Sequence, residues 1–173
     1  MAKQNSRLTS DFYKRDTVLV AQQLLGKILV RQFDDQIAFR YRITETEAYC
    51  GVADLACHAS KGKTKRTQIM FNKGGYVYVY LIYGMYWLLN IVSDDEGEGS
   101  AVLIRGLEGF NGPGRLGREL KLDSSFYGEN LETSNRLWIE DAPTVEQYES
   151  TPRIGVDYAG EPWISMPWRF VVK

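Results

Sequence analysis

Only two cysteines, Cys50 and Cys57, and a single histidine, His58, occur in the 173 residues. Two cysteines do not make the disulfide framework of a small secreted scaffold. Cys50, Asp54, Cys57 and His58 are zinc-ligand types, but Cys57 and His58 are adjacent and no second ligand pair follows. Closed zinc sites use two spaced pairs, so no metal is expected. No apolar run is long enough to span a bilayer, and the N-terminus lacks an apolar signal segment. The expected setting is therefore cytoplasmic, beside the nucleoid in a bacterium, with no membrane partner. Neither charge dominates: 21 Lys and Arg stand against 22 Asp and Glu, a net charge of −1. Composition alone thus does not announce a nucleic-acid binder. Repeats, low-complexity linkers and domain boundaries are also missing. What remains is 44% apolar and 25% charged residues. That suits one domain over residues 1–173, with a real core and a frayed start before Leu8.

The charge is unevenly placed. Lys61, Lys63, Lys65, Arg66 and Lys73 run without an acid among them, while Asp94, Asp95, Glu96 and Glu98 cluster elsewhere. A basic run is either a solvated loop or a surface for anions. A second uneven stretch surrounds Thr44-Glu45-Thr46-Glu47-Ala48-Tyr49. Ile37, Phe39, Tyr41 and Ile43 alternate with Ala38, Arg40, Arg42 and Thr44, the period of a strand. Carried forward, this alternation puts Glu45, Glu47 and Tyr49 on the face of the apolar positions. A carboxylate there sits at the sheet's rim in water or is held in a cleft.

The other elements follow in order. Asp16 caps a helix to about Leu25, and Gly26 stops it. Lys27 to Phe33 is a strand, and Asp34-Asp35 turns it into a hairpin with Ile37 to Glu47. The loop from Cys50 to about Lys73 is longer than a connection needs, which favours a functional loop. Gly75 to Tyr83 reads as a strand with Tyr76, Tyr78 and Tyr80 on one face, returned by Gly84-Met85 into a second strand, Tyr86 to Ser93. Three hydroxyls on one face want three partners, so that face lines a polar cleft or is satisfied within the core. Tyr83 falls at the tip, where a large aromatic gains little core. Ala101 to Leu107 is a buried strand whose Arg105 needs a partner. Pro113-Gly114 opens a short helix. Asp123 to Pro152 is mostly irregular with a strand at Leu137 to Ile139. Arg153 to Val156 is a short strand or turn, and Trp168 to Val172 a terminal strand. The fold class is α+β: one domain with a mostly antiparallel sheet, flanking helices and a protruding hairpin.

Several blocks carry a resemblance. They are Glu45-Thr46-Glu47-Ala48-Tyr49, Ala56-Cys57-His58, Met70-Phe71, Tyr78 through Tyr86, Asn90, Val102-Leu103-Ile104-Arg105, Gly112-Pro113-Gly114-Arg115-Leu116 and Arg153-Ile154-Gly155-Val156. In this order they resemble the alkyladenine (3-methyladenine) DNA glycosylase family, from Leu24 to Phe170. The resemblance implies a monofunctional glycosylase of base excision repair. It would flip alkylated purines, such as 3-methyladenine, 7-methylguanine or hypoxanthine, out of duplex DNA and hydrolyse the glycosidic bond. Glu47 would activate water, with Arg105 and the Ile154 carbonyl holding that water. Tyr49, His58 and Tyr80 would stack on the base, and Asn90 would screen against guanine. Tyr83 would intercalate, and Lys63, Thr64, Arg66 and Met85 would face DNA. No cofactor and no lyase step are implied, and the chain is expected to act as a monomer. The other reading is a non-catalytic module that grips distorted nucleic acid. Two departures stand out. The loop after His58 has Lys61-Gly62-Lys63 and Arg66-Thr67 where the family has arginine-rich versions. The chain also ends at Lys173, before a Gly-Ser-Pro segment found in relatives, which bears on the edge of the terminal strand.

Overall fold

The computed structural model describes residues 5–173. Two helices precede the sheet, α1 (Ser10–Tyr13) and α2 (Thr17–Leu24). The Asp16 carboxylate accepts the Leu19 N–H at 2.9 Å, capping α2 as expected. Val20, Ala21 and Leu24 of α2 are fully buried, forming its stripe toward the core. Among the described residues nine strands follow: β1 (Ile28–Gln32), β2 (Ala38–Tyr49), β3 (Val77–Ile82), β4 (Tyr86–Ser93), β5 (Ser100–Leu107), β6 (Phe110–Asn111), β7 (Leu137–Glu140), β8 (Tyr148–Thr151) and β9 (Arg169–Val172). They form one sheet in the order β3-β4-β5-β2-β1-β7, with antiparallel pairing throughout; β6 joins β5, and β9 lies between β2 and β8. Both edges of the terminal strand are therefore taken where these ladders run. Helix α3 (Pro113–Glu119) packs on β4 and β5. A Cβ at Gly117 would lie 1.9 Å from the Trp87 carbonyl oxygen, so only glycine lets α3 come this close to β4.

The ladder between β2 and β5 holds the detail that matters most. Ile43 pairs with Leu107, Glu45 with Gly106 and Thr46 with Ile104. Thr44 is thus an extra residue on β2, and Arg105 an extra residue on β5: two facing bulges that restore each other's register. Each bulge turns its strand over. Ile43 and Leu107 point into the main core, and so do Ala48, Val102 and Ile104. Thr46 points the same way and bonds the Ala21 carbonyl of α2 at 2.8 Å. The opposite face carries Glu45, Glu47 and Tyr49 from β2, with Leu103 and Arg105 from β5. The expectation that Glu45 and Glu47 share the face of Ile37 to Ile43 is therefore corrected: one inserted residue reverses it. Ile37 and Phe39, at the far end of the hairpin, are 53% and 44% exposed rather than core.

Other expectations fare differently. Arg153 to Val156 is a turn, with Gly155 at φ 75°, not a strand. β8 lies in the stretch read as mostly irregular. Residues 1–4 of the start expected to fray lie outside the described residues. Arg7 of that start is tied down, bridging to Glu140 and donating to the Ser134 carbonyl at 2.6 Å. The β3–β4 hairpin stands as expected. Tyr83 and Gly84 both take left-handed backbone, φ 52° and 66°, and the Met85 N–H closes the turn on the Ile82 carbonyl at 3.1 Å.

Candidate active site

A cavity of about 400 Å3 opens on the sheet face bearing Glu47. β3 supplies Tyr78 and Tyr80, and its turn supplies Tyr83. His58 from the long loop lines it beside Tyr78 and Tyr80, and Tyr49 from the end of β2 lines it too. The floor is made by Asn90, Leu103 and Arg105, and the 153–156 turn contributes Ile154. Period two makes this possible: Tyr78 and Tyr80 share a face of β3, and Leu88 and Asn90 share the matching face of β4.

Glu47 lies just behind this wall, with none of its surface exposed. Its Oε2 accepts the Tyr49 hydroxyl at 2.6 Å, and its Oε1 accepts the Ile154 backbone N–H at 2.8 Å. Arg105 Nε is 3.5 Å from the same Oε1. Burial pushes the Glu47 carboxyl above its ordinary range; Arg105, the Tyr49 hydroxyl, the Ile154 amide and Arg153 pull it back in part. All three direct neighbours line the cavity, while Glu47 itself is not among its lining residues. The contact from Ile154 is its N–H, whereas the sequence reading invoked its carbonyl.

The aromatic wall is pinned from behind. His58 Nδ1 and the Tyr78 hydroxyl are 2.8 Å apart, and the His58 ring meets Tyr80 edge-on at 4.6 Å between centroids. Desolvation first, and Arg66 second, lower the His58 pKa to about 4, so the imidazole is neutral near pH 7. Burial raises the Tyr78 hydroxyl to about 12 and lifts Tyr49 and Tyr80 as well. Asn90 is 3% exposed, and its Nδ2 has no partner among the described residues.

Not every predicted residue joins the cavity. Met85, 65% exposed, projects from the hairpin turn, whereas Tyr83, 84% exposed at the same turn, still lines the cavity. Lys63 and Thr64 sit on an exposed turn beyond the wall, where the Thr64 hydroxyl is engaged with Thr67 Oγ1 at 3.1 Å. Arg66 does reach the cavity, with its guanidinium 5.1 Å from the Tyr80 ring centre. Of the zinc-ligand types, His58, Cys57 and Asp54 have other partners. Cys57 Sγ faces the Gly99 carbonyl at 3.5 Å, and Asp54 is paired with Arg153.

That last pair was missed. Arg153 Nη1 and Nη2 hold the two Asp54 oxygens at 2.6 and 3.0 Å, with both side chains fully buried. Arg153 also bonds the Ala48 carbonyl at 2.9 Å and lies 4.9 Å from the Tyr49 ring centre. Asp54 in turn accepts the Cys50 and Ala56 N–H groups at 3.0 and 3.1 Å. The pair ties the long loop, β2 and the 153–156 turn together behind the cavity. Arg153 was visible only as a letter in a matched block, and Asp54 only as a ligand type. Arg169, which holds Glu45 at 2.6 Å, was read only as part of the terminal strand.

A model of the Methylpurine-DNA glycosylase (MPG) family matches the chain over residues 11–110 and 107–173. A Legionella pneumophila (strain Lens) protein named "Putative 3-methyladenine DNA glycosylase" is 48% identical over 178 residues, covering 96% of this chain and 94% of its own. Proteins with the same name from Methanocella arvoryzae and Wolbachia pipientis wMel are 45% and 42% identical, each covering 96% of this chain and 92% and 91% of their own.

Proposed function

The chain belongs to the methylpurine-DNA glycosylase family, and from that premise we propose that it removes alkylated purines from duplex DNA by water activated at Glu47. Membership makes it a hydrolase of N-glycosyl bonds in DNA; lesion, base and pocket are our reading. One observation carries it. A fully buried carboxylate, raised by that burial, touches Tyr49, Arg105 and Ile154, and these share a cavity with Tyr80 and His58.

The reaction needs a base held outside the stack and a water beside C1′. The water oxygen bonds to C1′ as the C1′–N bond breaks, its electron pair leaves with the purine, and the proton passes to Glu47. The products are an abasic site and a free base. The sugar carries oxocarbenium character on the way, and the Glu47 carboxylate steadies it. A positioned base of this kind contributes on the order of a hundredfold to ten-thousandfold. Arg105 and the Ile154 carbonyl orient the water.

The lesion stacks between Tyr49 and the Tyr80–His58 wall. A purine methylated at N3 or N7 is a cation, which tyrosine faces favour by about 0.5–2 kcal/mol. Neutral His58 adds no repulsion. The rest of the selectivity comes from the weakened bond and pairing of the damaged base. Tyr83 fills the gap left in the duplex, offsetting an unstacking cost of roughly a few kcal/mol. Lys63, Thr64, Arg66 and Met85 face the backbone, raising affinity without reading sequence. All these residues come from one chain, so a monomer suffices.

The test is a gel assay on duplexes bearing 3-methyladenine, 7-methylguanine or hypoxanthine, with alkali revealing abasic sites. Wild type should give breaks. Glu47→Gln should give none while still binding the damaged duplex; equal release by the variant ends the reading. Borohydride should trap no covalent DNA adduct, since no lysine is assigned as an imine former.

A further inference from the structure

Glu45 has no part in that scheme, yet it is held by two arginines beside it. Its Oε1 accepts Arg105 Nε at 3.0 Å and Arg169 Nε at 2.6 Å. Arg105 Nε lies 3.5 Å from Glu47 Oε1, longer than an ordinary hydrogen bond of about 2.7–3.2 Å. The Arg105 Nε–H thus bonds Glu45 and only approaches Glu47. The Glu45 and Arg105 side chains are each only 13% exposed, so water does little to loosen that grip. Among the described residues, no protein acceptor takes the terminal N–H groups of Arg105, and Arg105 lines the cavity.

The two facing bulges build this arrangement by bringing Glu45, Glu47 and Arg105 to one face. Gly106 completes it. A Cβ there would meet Glu45 Cβ at 3.0 Å and Thr44 Oγ1 at 2.9 Å, so glycine is what lets Glu45 sit against β5. Arg169 is itself held, by Thr151 Oγ1 at 3.1 Å. Guanidinium and carboxylate prefer a two-pronged contact, like the one Arg153 makes with Asp54. Without Glu45, Arg105 has such a partner waiting in Glu47.

We propose that Glu45 is a positioning residue: holding Arg105 by Nε, it keeps the guanidinium from closing on Glu47 and leaves the terminal N–H groups to the cavity. This rests on Glu47 as the base. A closed pair would stabilise the Glu47 carboxylate and make it a poorer acceptor for a proton from water. It would also turn Arg105 away from that water. The other groups facing Glu47 are Tyr49 on its own strand, Arg153 from the turn, Arg169 opposite on β9, and the hydroxyls of Tyr80 and Tyr158.

The test is the pH profile of single-turnover base release in Glu45→Asp, which keeps the charge but shortens the reach. The acid limb should move to lower pH, and the plateau should fall about tenfold to a hundredfold. In an Arg105→Met background the same change should cost less than about twofold, because its effect runs through Arg105. Glu45→Gln serves as a second variant, with the same dependence on Arg105 and an unchanged melting temperature. An unmoved acid limb in Glu45→Asp, or equal losses in both backgrounds, overturns the proposal. Failure of the underlying reading looks different: Glu47→Gln would itself release base at the wild-type rate.

Discussion

Two arginine–carboxylate pairs lie on the same side of the sheet, and they are built on opposite plans. Asp54 and Arg153 are fully buried and doubly bonded, and backbone N–H groups and carbonyls take much of their remaining capacity. Glu47 and Arg105 approach only to 3.5 Å, and Arg105 is held more closely by another acid. Burial alone would weaken the Arg153 charge, but Asp54 outweighs it and holds Arg153 above its ordinary range. Burial pushes Glu47 up, and the Tyr49 hydroxyl, the Ile154 amide and the more distant Arg105 do not undo this. A doubly bonded pair of this kind fixes geometry: both Asp54 oxygens are taken, and among the described residues the pair leaves only Arg153 Nε without a partner. A partly satisfied carboxylate can still take a proton.

The comparison breaks hardest at Glu47. Glu47→Gln should lower single-turnover base release by at least a hundredfold, while damaged-duplex binding, read by fluorescence anisotropy, stays near wild type. The next effect belongs to the other pair and appears in stability. Asp54→Ala leaves the Arg153 charge buried without its partner, which costs about 3–5 kcal/mol. Urea unfolding should show that loss. Any fall in activity should follow the folded fraction, so a stable but inactive variant would mean that Asp54 does more than support.

pH sharpens the contrast. As the proposed base, Glu47 would act only when ionised, so base release should fall as pH drops through its raised value. The acid limb should therefore lie above the usual glutamate range of about 4.3. Stability moves the other way. The folded chain binds this proton more tightly than the unfolded chain, so Glu47's contribution is greatest below the ordinary carboxylate value. It declines as pH rises through the raised one. Urea midpoints of wild type and Glu47→Gln should thus draw close at acid pH, with the variant gaining toward neutrality. The smallest expected change in stability is at Tyr83. Tyr83→Ser alters an exposed tip and should shift unfolding by no more than about 0.5 kcal/mol. A fluorescent base analogue opposite the lesion should report reduced flipping all the same.

Much of the fold could be read because local chemistry and final structure agree. Asp16 caps α2 where a cap was expected, and alternating tyrosines gave the hairpin that carries Tyr80 and Tyr83. The cavity residues come from blocks far apart in the chain, and only the resemblance ordered them. What stayed hidden had no local signature. The bulge at Thr44 is one extra residue in an unbroken strand-like run, yet it decides which face Glu47 occupies. Asp54 and Arg153 are 99 positions apart, and neither has a neighbour that announces the other. Glu45 looked equivalent to Glu47 in the alternation; the structure separates them by partner and by burial.

The low value at His58 has an outcome of its own. With its imidazole uncharged down to about pH 4, the slot proposed for a cationic purine keeps the same electrical character through mild acidification. Hydrolysis by the proposed Glu47 base, which must be ionised, would fade first. An acid-stressed enzyme would then go on capturing lesions that it releases only slowly, shielding the damaged position until neutrality returns.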